Sequence, residues 1–242
     1  MLELIKNPFS KENLKYSILI IVGFTCIIIN RIIVGFGSIL CIADIGSLAG
    51  IISIIFMAKH NVWGYVFNIV SLTVVIITGF IQHIWLNATI SLVIMLPNVV
   101  YGLITWIKNE KNNNNDANLK ALSKKALLIW WLFAIVLVGI FTFVLWKLDG
   151  NLFYLDAMIT TLCVIGTLLC SRMYLDNYYF FIPANIVGML MYTLLSIQNI
   201  NNLPYIITYV IYTIVSVLGL MNWLKLNRQK NIEKKVVKKI KK

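Results

Sequence analysis

Runs of about 20 apolar residues recur along the whole chain, broken by short polar segments, and that is the length a helix needs to cross ~30 Å of hydrocarbon. Eight spans are predicted, near Tyr16–Gly35, Ile39–Ala58, Val62–Ile81, Trp85–Ile107, Ala126–Trp146, Leu152–Ser171, Tyr178–Ile197 and Leu203–Leu224. Assigned alternately to two sides, the polar breaks sort by charge. One side receives the N-terminus, Lys59, the Lys108–Lys125 segment, Arg172 and the C-terminus. Of the 21 Lys and Arg, only Arg31 and Lys147 fall on the other side. A miscounted helix would spoil this asymmetry, so it predicts eight spans with both termini in the cytoplasm. The first run follows Lys6, Lys11 and Lys15 without an Ala-x-Ala-like cleavage site, so it is expected to stay as a helix.

Composition strengthens this picture. The 242 residues are 60% hydrophobic and 12% charged, with mean hydropathy +0.86, whereas soluble domains run at roughly 45–50% apolar and about 25% charged. The chain therefore reads as an all-α polytopic membrane protein whose surroundings are the lipid bilayer. The net charge of +12 sits in the segments assigned to the cytoplasm and points to no nucleic acid. The lysine-rich tail, Lys234 to Lys242, suits anionic lipid headgroups. Cys26, Cys41, Cys163 and Cys170 have no metal-ligand spacing and read as packing residues.

An internal repeat organises the chain. Asn68, Gly102, Leu103, Trp106 and Lys108 recur 117 positions later as Asn185, Gly219, Leu220, Trp223 and Lys225, and Gln82 recurs as Gln198 at 116. The units are spans two to four and six to eight. A three-helix unit ends opposite to where it starts, so span five is needed for the second copy to run like the first. The result is a SWEET-like 3+1+3 parallel repeat plus one N-terminal helix, with a substrate site expected near mid-membrane where the repeats meet. The predicted segments are 1–37 (N-terminal tail and extra helix), 38–107 (first unit), 108–125 (polar, low-complexity, flexible linker), 126–150 (connecting helix), 151–225 (second unit) and 226–242 (basic cytoplasmic tail).

Candidate chemistry centres on one amide. Tyr178, Phe181, Asn185 and Tyr192 fall on one stripe of span seven. A carboxamide facing hydrocarbon is costly, so the stripe should face protein or a cavity. An amide flanked by ring faces suits a flat polar ligand, because Asn both donates and accepts. The alternative is an interhelical hydrogen bond and aromatic packing. Tyr209 and Tyr212 on span eight are placed to meet ligand oxygens, and Asn68 could line the opposite wall. Gln82, Gln198, Trp106 and Trp223 read as interfacial residues, and Asp44 and Asp156 as helix N-caps.

At these residues the chain resembles the PnuC family of bacterial vitamin and nucleoside transporters. The likeness covers roughly Ile45–Trp106 and Asp156–Trp223. The family's acidic-Asn-Trp-x-x-Trp-x-x-x-Asn stretch stands here as Asp176-Asn177-Tyr178-Tyr179-Phe180-Phe181-Ile182-Pro183-Ala184-Asn185. Asp156-Ala157 with Thr160 and Thr161 is similar to its Asp-Ala-x-x-Thr pattern, and Pro97, Gly102 and Trp106 fit the first unit. Both motif tryptophans are replaced, by Tyr178 and Phe181, and the amide often found before Pro97 is Leu92. The resemblance implies uptake of nicotinamide riboside, with thiamine or a deoxynucleoside as rivals, a bacterial inner membrane, a trapping cytoplasmic kinase and a homotrimer. A non-transporting scaffold or receptor is the reading from a different class.

No carboxylate or lysine stands at mid-membrane and no Walker motif or Gly-rich phosphate loop appears, so neither ion coupling nor ATP use by this chain is expected. His60 and His83 fall in loops on opposite sides. No clustered nucleophile, base or metal-ligand set suggests an enzyme, and no cofactor is implied. What remains is facilitated diffusion (uniport) drawn inward by phosphorylation of the product. Pro183, Gly166 and Gly188 are candidate points of bending.

Overall fold

The computed structural model describes residues 13–34, 38–59, 61–81, 85–112, 120–148, 152–198 and 203–240. The apolar runs are helices: α1 (Leu14–Val34), α2 (Ser38–Ala58), α3 (Trp63–Ile81), α4 (Trp85–Ile90), α5 (Leu96–Asn112), α6 (Lys124–Lys147), α7 (Phe153–Ser171), α8 (Tyr178–Gln198) and α9 (Leu203–Ile240). Among the described residues five stretches are long and apolar enough to cross a membrane: Ala88–Asn109, Lys124–Lys147, Phe153–Ser171, Leu175–Ile197 and Tyr205–Lys225. Shorter apolar helices span Leu14–Ile29, Asp44–Ala58 and Trp63–Thr78. The chain is a polytopic helical membrane protein.

Local chemistry accounts for the interruptions. Helices α4 and α5 are joined by a π-helical turn, Ser91–Met95, in which the Leu96 N–H reaches back to the Ser91 carbonyl. Pro97 follows at once. Its ring clashes with a regular carbonyl four residues back and offers no N–H, and a widened turn relieves that clash. Asn61 accepts from the Trp63 N–H at 3.0 Å where α3 begins, and Ser123 caps α6 through the Ala126 N–H at 3.2 Å.

Six helices pack in a closed circuit. Neighbours α2–α3–α5 form one triplet and α7–α8–α9 the other. The third helix of each triplet packs on the first of the other, α5 on α7 and α9 on α2. Helix α6 covers α7 from outside, and α1 lies against α2 and α9. Helix α6 is the most exposed span: Leu128, Ile129, Leu132, Ile135 and Val136 all face outward while Ala134 and Leu145 are buried. Apolar surface on that scale is stable only against lipid or other apolar surface.

One end of the circuit is sealed. Trp106 of α5 and Trp223 of α9, buried to 2% and 0% exposure, meet with ring centroids 5.9 Å apart. Tyr65 of α3 lies against Trp106 at 5.3 Å, and Tyr178 of α8 meets Trp223 edge-on at 5.5 Å. Leu72, Val99, Cys170, Met173 and Leu175 complete this cluster. The Trp106 indole N–H donates to the Cys170 carbonyl at 3.3 Å, and the Tyr65 hydroxyl to Cys170 Sγ at 3.5 Å. The expectation that both tryptophans are lipid-interface anchors is thus corrected. Each is held in a protein interior because the other triplet's tryptophan covers it.

The charge assignments gain spatial content. Lys15, Lys59, Lys124 and Lys225 lie on elements that meet at the tryptophan end, and Arg31 belongs to the opposite end. There it pairs with Asp44 of α2, with one contact at 2.9 Å. Asp44 is therefore an ion-pair partner and not a helix cap. At the tryptophan end Asn222 donates to the Tyr16 hydroxyl at 2.7 Å and to the Ala58 carbonyl at 3.5 Å, so α1 is tied to the circuit at both ends.

The end of the 108–125 segment is docked. The Lys120 N–H donates to the Met173 carbonyl at 2.9 Å, the Leu175 N–H to the Lys120 carbonyl at 2.8 Å, and the Leu122 N–H to Asp176 Oδ2 at 2.6 Å. The Asn177 amide donates to the Tyr174 carbonyl at 2.8 Å. The acidic-Asn pair that opens the motif therefore clasps the α7–α8 turn. Residues 1–12 and 113–119, His60, Gln82 and His83, and the side chains of Cys41, Gln198 and the lysine tail lie outside the described residues.

Candidate functional site

The predicted stripe on α8 faces α9 along most of its length. At the tryptophan end Tyr178 packs on Trp223 and over Gly219, where a Cβ would fall 2.7 Å from the tyrosine Cζ. Phe181 turns toward α7 and lies over Gly166, whose added Cβ would come 2.8 Å from the ring. Further along, Asn185 is buried and donates from Nδ2 to Ser216 Oγ at 3.2 Å. Beyond it the Tyr209 ring fills the place a side chain at Gly188 would take. Near the far end of α8, Tyr192 stacks on Tyr205 at 4.7 Å and on Tyr209 at 5.4 Å.

Tyr178 and Tyr192 are 14 residues apart, about 21 Å along a helix, so these residues do not form one pocket wall. They divide into a sealed layer (Tyr178, Phe181), a central amide (Asn185 with Ser216) and a tyrosine cluster toward the far end (Tyr192, Tyr205, Tyr209, Tyr212). Tyr209 and Tyr212 meet edge-on at 6.1 Å. Tyr212 crosses to the other triplet, where its hydroxyl sits over Gly50 of α2 near Ser71 of α3. Asn68, half-buried on α3, has no described hydrogen bond to the Asn185 group.

Three residues escaped sequence reading. Ser216, fully buried, gives Asn185 its partner, and a lone serine in an apolar helix carries no signal of that. Tyr205 completes the tyrosine stack; its spacing of four from Tyr209 was the available clue. Asn98 of α5 accepts from the Ser171 hydroxyl at 2.9 Å, bridging the triplets, and its buried amide nitrogen has no hydrogen-bond partner among the described residues. Thr161, from the Asp-Ala-x-x-Thr pattern, is fully buried, and its hydroxyl has no hydrogen-bond partner among the described residues. Buried polar atoms without partners are costly in a protein interior.

Among the described residues no group of three or more His, Cys, Asp or Glu is placed to hold a metal ion, and Cys26, Cys163 and Cys170 are free thiols. Gly166 and Gly188, predicted as points of bending, serve here as seats for the Phe181 and Tyr209 rings.

Comparison with known proteins agrees with the fold. The chain is 23% identical over 192 residues to the nicotinamide riboside transporter PnuC of Neisseria mucosa, spanning 76% of this chain and 72% of that one. It is 18% identical over 214 residues to the nicotinamide riboside transporter PnuC of Escherichia coli, spanning 78% and 87%. The crystal structure of the vitamin B3 transporter PnuC superposes with a TM-score of 0.68 at 20% identity, covering 88% of this chain and 92% of the other. The family model described as nicotinamide mononucleotide transporter matches residues 40–225, which takes in both helix triplets and the aromatic seal between them. On that match the chain belongs to the nicotinamide mononucleotide transporter family.

Proposed function

We propose that this protein carries nicotinamide riboside across the bacterial inner membrane by facilitated diffusion. A cytoplasmic kinase that phosphorylates the product would draw the flux inward. In this reading eight spans form a SWEET-like pair of parallel triplets plus α1, and the tryptophan end, rich in Lys and Arg, faces the cytoplasm with both termini. The observation that carries it is the closed circuit of six helices, sealed at one end by Trp106 and Trp223, with a buried carboxamide beyond the seal. Support for the repeat comes from the reciprocal packing of α5 on α7 and α9 on α2. Support also comes from the meeting of the two tryptophans related by the 117-residue offset.

Asn185 gives one amide hydrogen to Ser216. Its second hydrogen and its carbonyl oxygen are the complementary pair a nicotinamide carboxamide needs. Tyr178 and Phe181 floor the site by holding its sealed end. Tyr192, Tyr209 and Tyr212 supply ring faces and hydroxyls on the open side, and Asn68 contributes from α3. Transport would proceed by rocking one triplet against the other, so that the aromatic seal opens as the far end closes. Assembly as a homotrimer would place apolar outer helices against copies of themselves.

A binding panel on purified protein tests the substrate. Nicotinamide riboside should bind, and uptake into proteoliposomes should saturate without an ion gradient. Binding of thiamine or deoxynucleosides in its place would replace the substrate. Absence of any binding and uptake would favour a non-transporting scaffold or receptor. Asn185→Leu should cut binding while the protein still folds, because an unmet buried polar group on the ligand costs roughly 1–3 kcal/mol, about five- to 150-fold. Near wild-type affinity would make Asn185 purely a partner for Ser216.

A further inference from the structure

The two seams between the triplets are built from matching contacts. At the α5–α7 seam the Trp106 indole N–H donates to the carbonyl of Cys170, near the end of α7, at 3.3 Å. At the α9–α2 seam the Asn222 amide donates to the carbonyl of Ala58, the last residue of α2, at 3.5 Å. Asn222 stands one residue before Trp223, and its mate at the 117-residue offset is Thr105, one before Trp106. Thr105 turns back on its own helix and donates to the Tyr101 carbonyl at 2.8 Å. Asn222 instead reaches outward, and its amide also donates to the Tyr16 hydroxyl of α1 at 2.7 Å.

Helix α1 runs along this second seam. Tyr16 is buried in a cluster with Ile51, Ile55 and Ala58 of α2 and Ile211 and Val215 of α9. Lys59, just past α2, donates to the Asn13 carboxamide and lies over the Tyr16 ring, 5.1 Å from its centre. About 10 Å further along α1, a Cβ on Gly23 would come 2.7 Å from Ile51 Cδ1 and 3.5 Å from Ile211 Cδ1. The other outer helix, α6, packs differently. Its buried face meets α7 and α8 within one triplet, with Trp131 stacked on Phe180 at 4.7 Å. Across the α5–α7 seam the described polar links are neutral hydrogen bonds: Trp106 to the Cys170 carbonyl, Tyr65 to Cys170 Sγ, and Ser171 to Asn98. Each is weak in net terms and can be broken and remade.

We infer that α1 locks the α2–α9 seam at the tryptophan end, so that the aromatic seal opens by parting α5 from α7. Tyr16 and Asn222 are the positioning residues of that hinge. This rests on the transport reading above and deepens it, since rocking of one triplet on the other needs one line of contact that stays and one that yields. Repeat symmetry alone would let either seam part, and the added helix decides between them.

The test reads both seams in one molecule. Ala58→Cys puts a thiol at the end of α2 to match Cys170 near the end of α7, and both positions are buried. In proteoliposomes holding the full chain, N-ethylmaleimide labelling of each thiol is followed by peptide mass spectrometry and divided by its rate in the denatured chain. Cys170 should label roughly tenfold faster or more, because local opening is confined to its seam. Adding Asn222→Thr or Tyr16→Phe should speed labelling at Ala58→Cys by roughly fivefold, the equivalent of one net hydrogen bond, and leave Cys170 unchanged. Equal rates at the two thiols, or a rise at Cys170 as large as that at Ala58→Cys, overturns the inference. Labelling requires no transport, so absence of nicotinamide riboside uptake by the unmodified chain would count against the transport reading alone. Where uptake is present, a short reducible bis-methanethiosulfonate reagent joins either seam in a chain whose own cysteines are changed to alanine. Asn98→Cys with Ser171→Cys ties α5 to α7 and should stop uptake until reductant restores it. Gly23→Cys with Ile211→Cys ties α1 to α9 and should leave uptake unchanged. Uptake that survives the first link, or stops reversibly with the second, also overturns the inference.

Discussion

Replacing Asp44 by Leu would leave the Arg31 guanidinium without its partner, in a place where the two side chains are only 8% and 18% exposed. Removing one member of a buried ion pair costs roughly 3–5 kcal/mol, because the remaining charge is desolvated and uncompensated. Arg31 lies in the last turn of α1, and its long stem can carry part of the charge toward water. The lower figure, about 3 kcal/mol, is therefore expected. For a chain of this size each kcal/mol is worth ~2–4 °C, so the apparent melting temperature should fall by roughly 6–12 °C. Arg31→Met with Asp44→Leu removes both charges and should recover most of that loss, since apolar replacement of a whole pair is often close to neutral. Thermal unfolding of detergent-solubilised protein, followed by size-exclusion chromatography, measures all four corners of the cycle. A single Asp44→Leu variant within ~2 °C of wild type would refute the clamp. So would a double variant no better than the single one.

The aromatic seal and its glycine seats give two further expectations. Gly219→Leu should disrupt folding or lower the melting temperature sharply, since even a Cβ would sit 2.7 Å from Tyr178 Cζ and Tyr178 is backed by Trp223; overpacking of this kind costs roughly 1–3 kcal/mol. Gly139→Ala, with nothing within 4 Å of an added Cβ, is the control and should be silent in the same melt. Trp106→Ala should raise maleimide labelling of Cys170 in intact membranes, because Trp106 and Tyr65 now cover that buried thiol. Unchanged labelling would mean that the seal does not exclude water from this end.

Much of the path to the site was legible in residues. The 117-residue offset pointed to Trp106 and Trp223 as equivalents, and their contact in space is what equivalence about a shared axis would produce. Sequence placed them at a lipid interface because tryptophan beside lysine at a helix end usually sits there. Nothing local distinguishes an indole facing lipid from one facing its counterpart. The stripe Tyr178–Phe181–Asn185–Tyr192 was legible as one helix face, yet a face 21 Å long meets three different environments. Periodicity reports direction around an axis, not which neighbour stands there. Ser216 and Arg31 show the same limit: each acquires its role only from a partner on another helix.

The sequence alone determined that this chain lives in a bilayer and where its helices run. The solvent dictates that outcome, since hydrocarbon leaves backbone polar groups no partner but one another. Its repeat and motif residues also marked the family. Only the tertiary structure decided which polar and aromatic side chains meet: Arg31 with Asp44, Asn185 with Ser216, Trp106 with Trp223, and Asp156 with no cation among the described residues. In an apolar medium helix packing rests on close contact and on sparse polar pairs. Those pairs are long-range, and no stretch of the chain encodes them by itself.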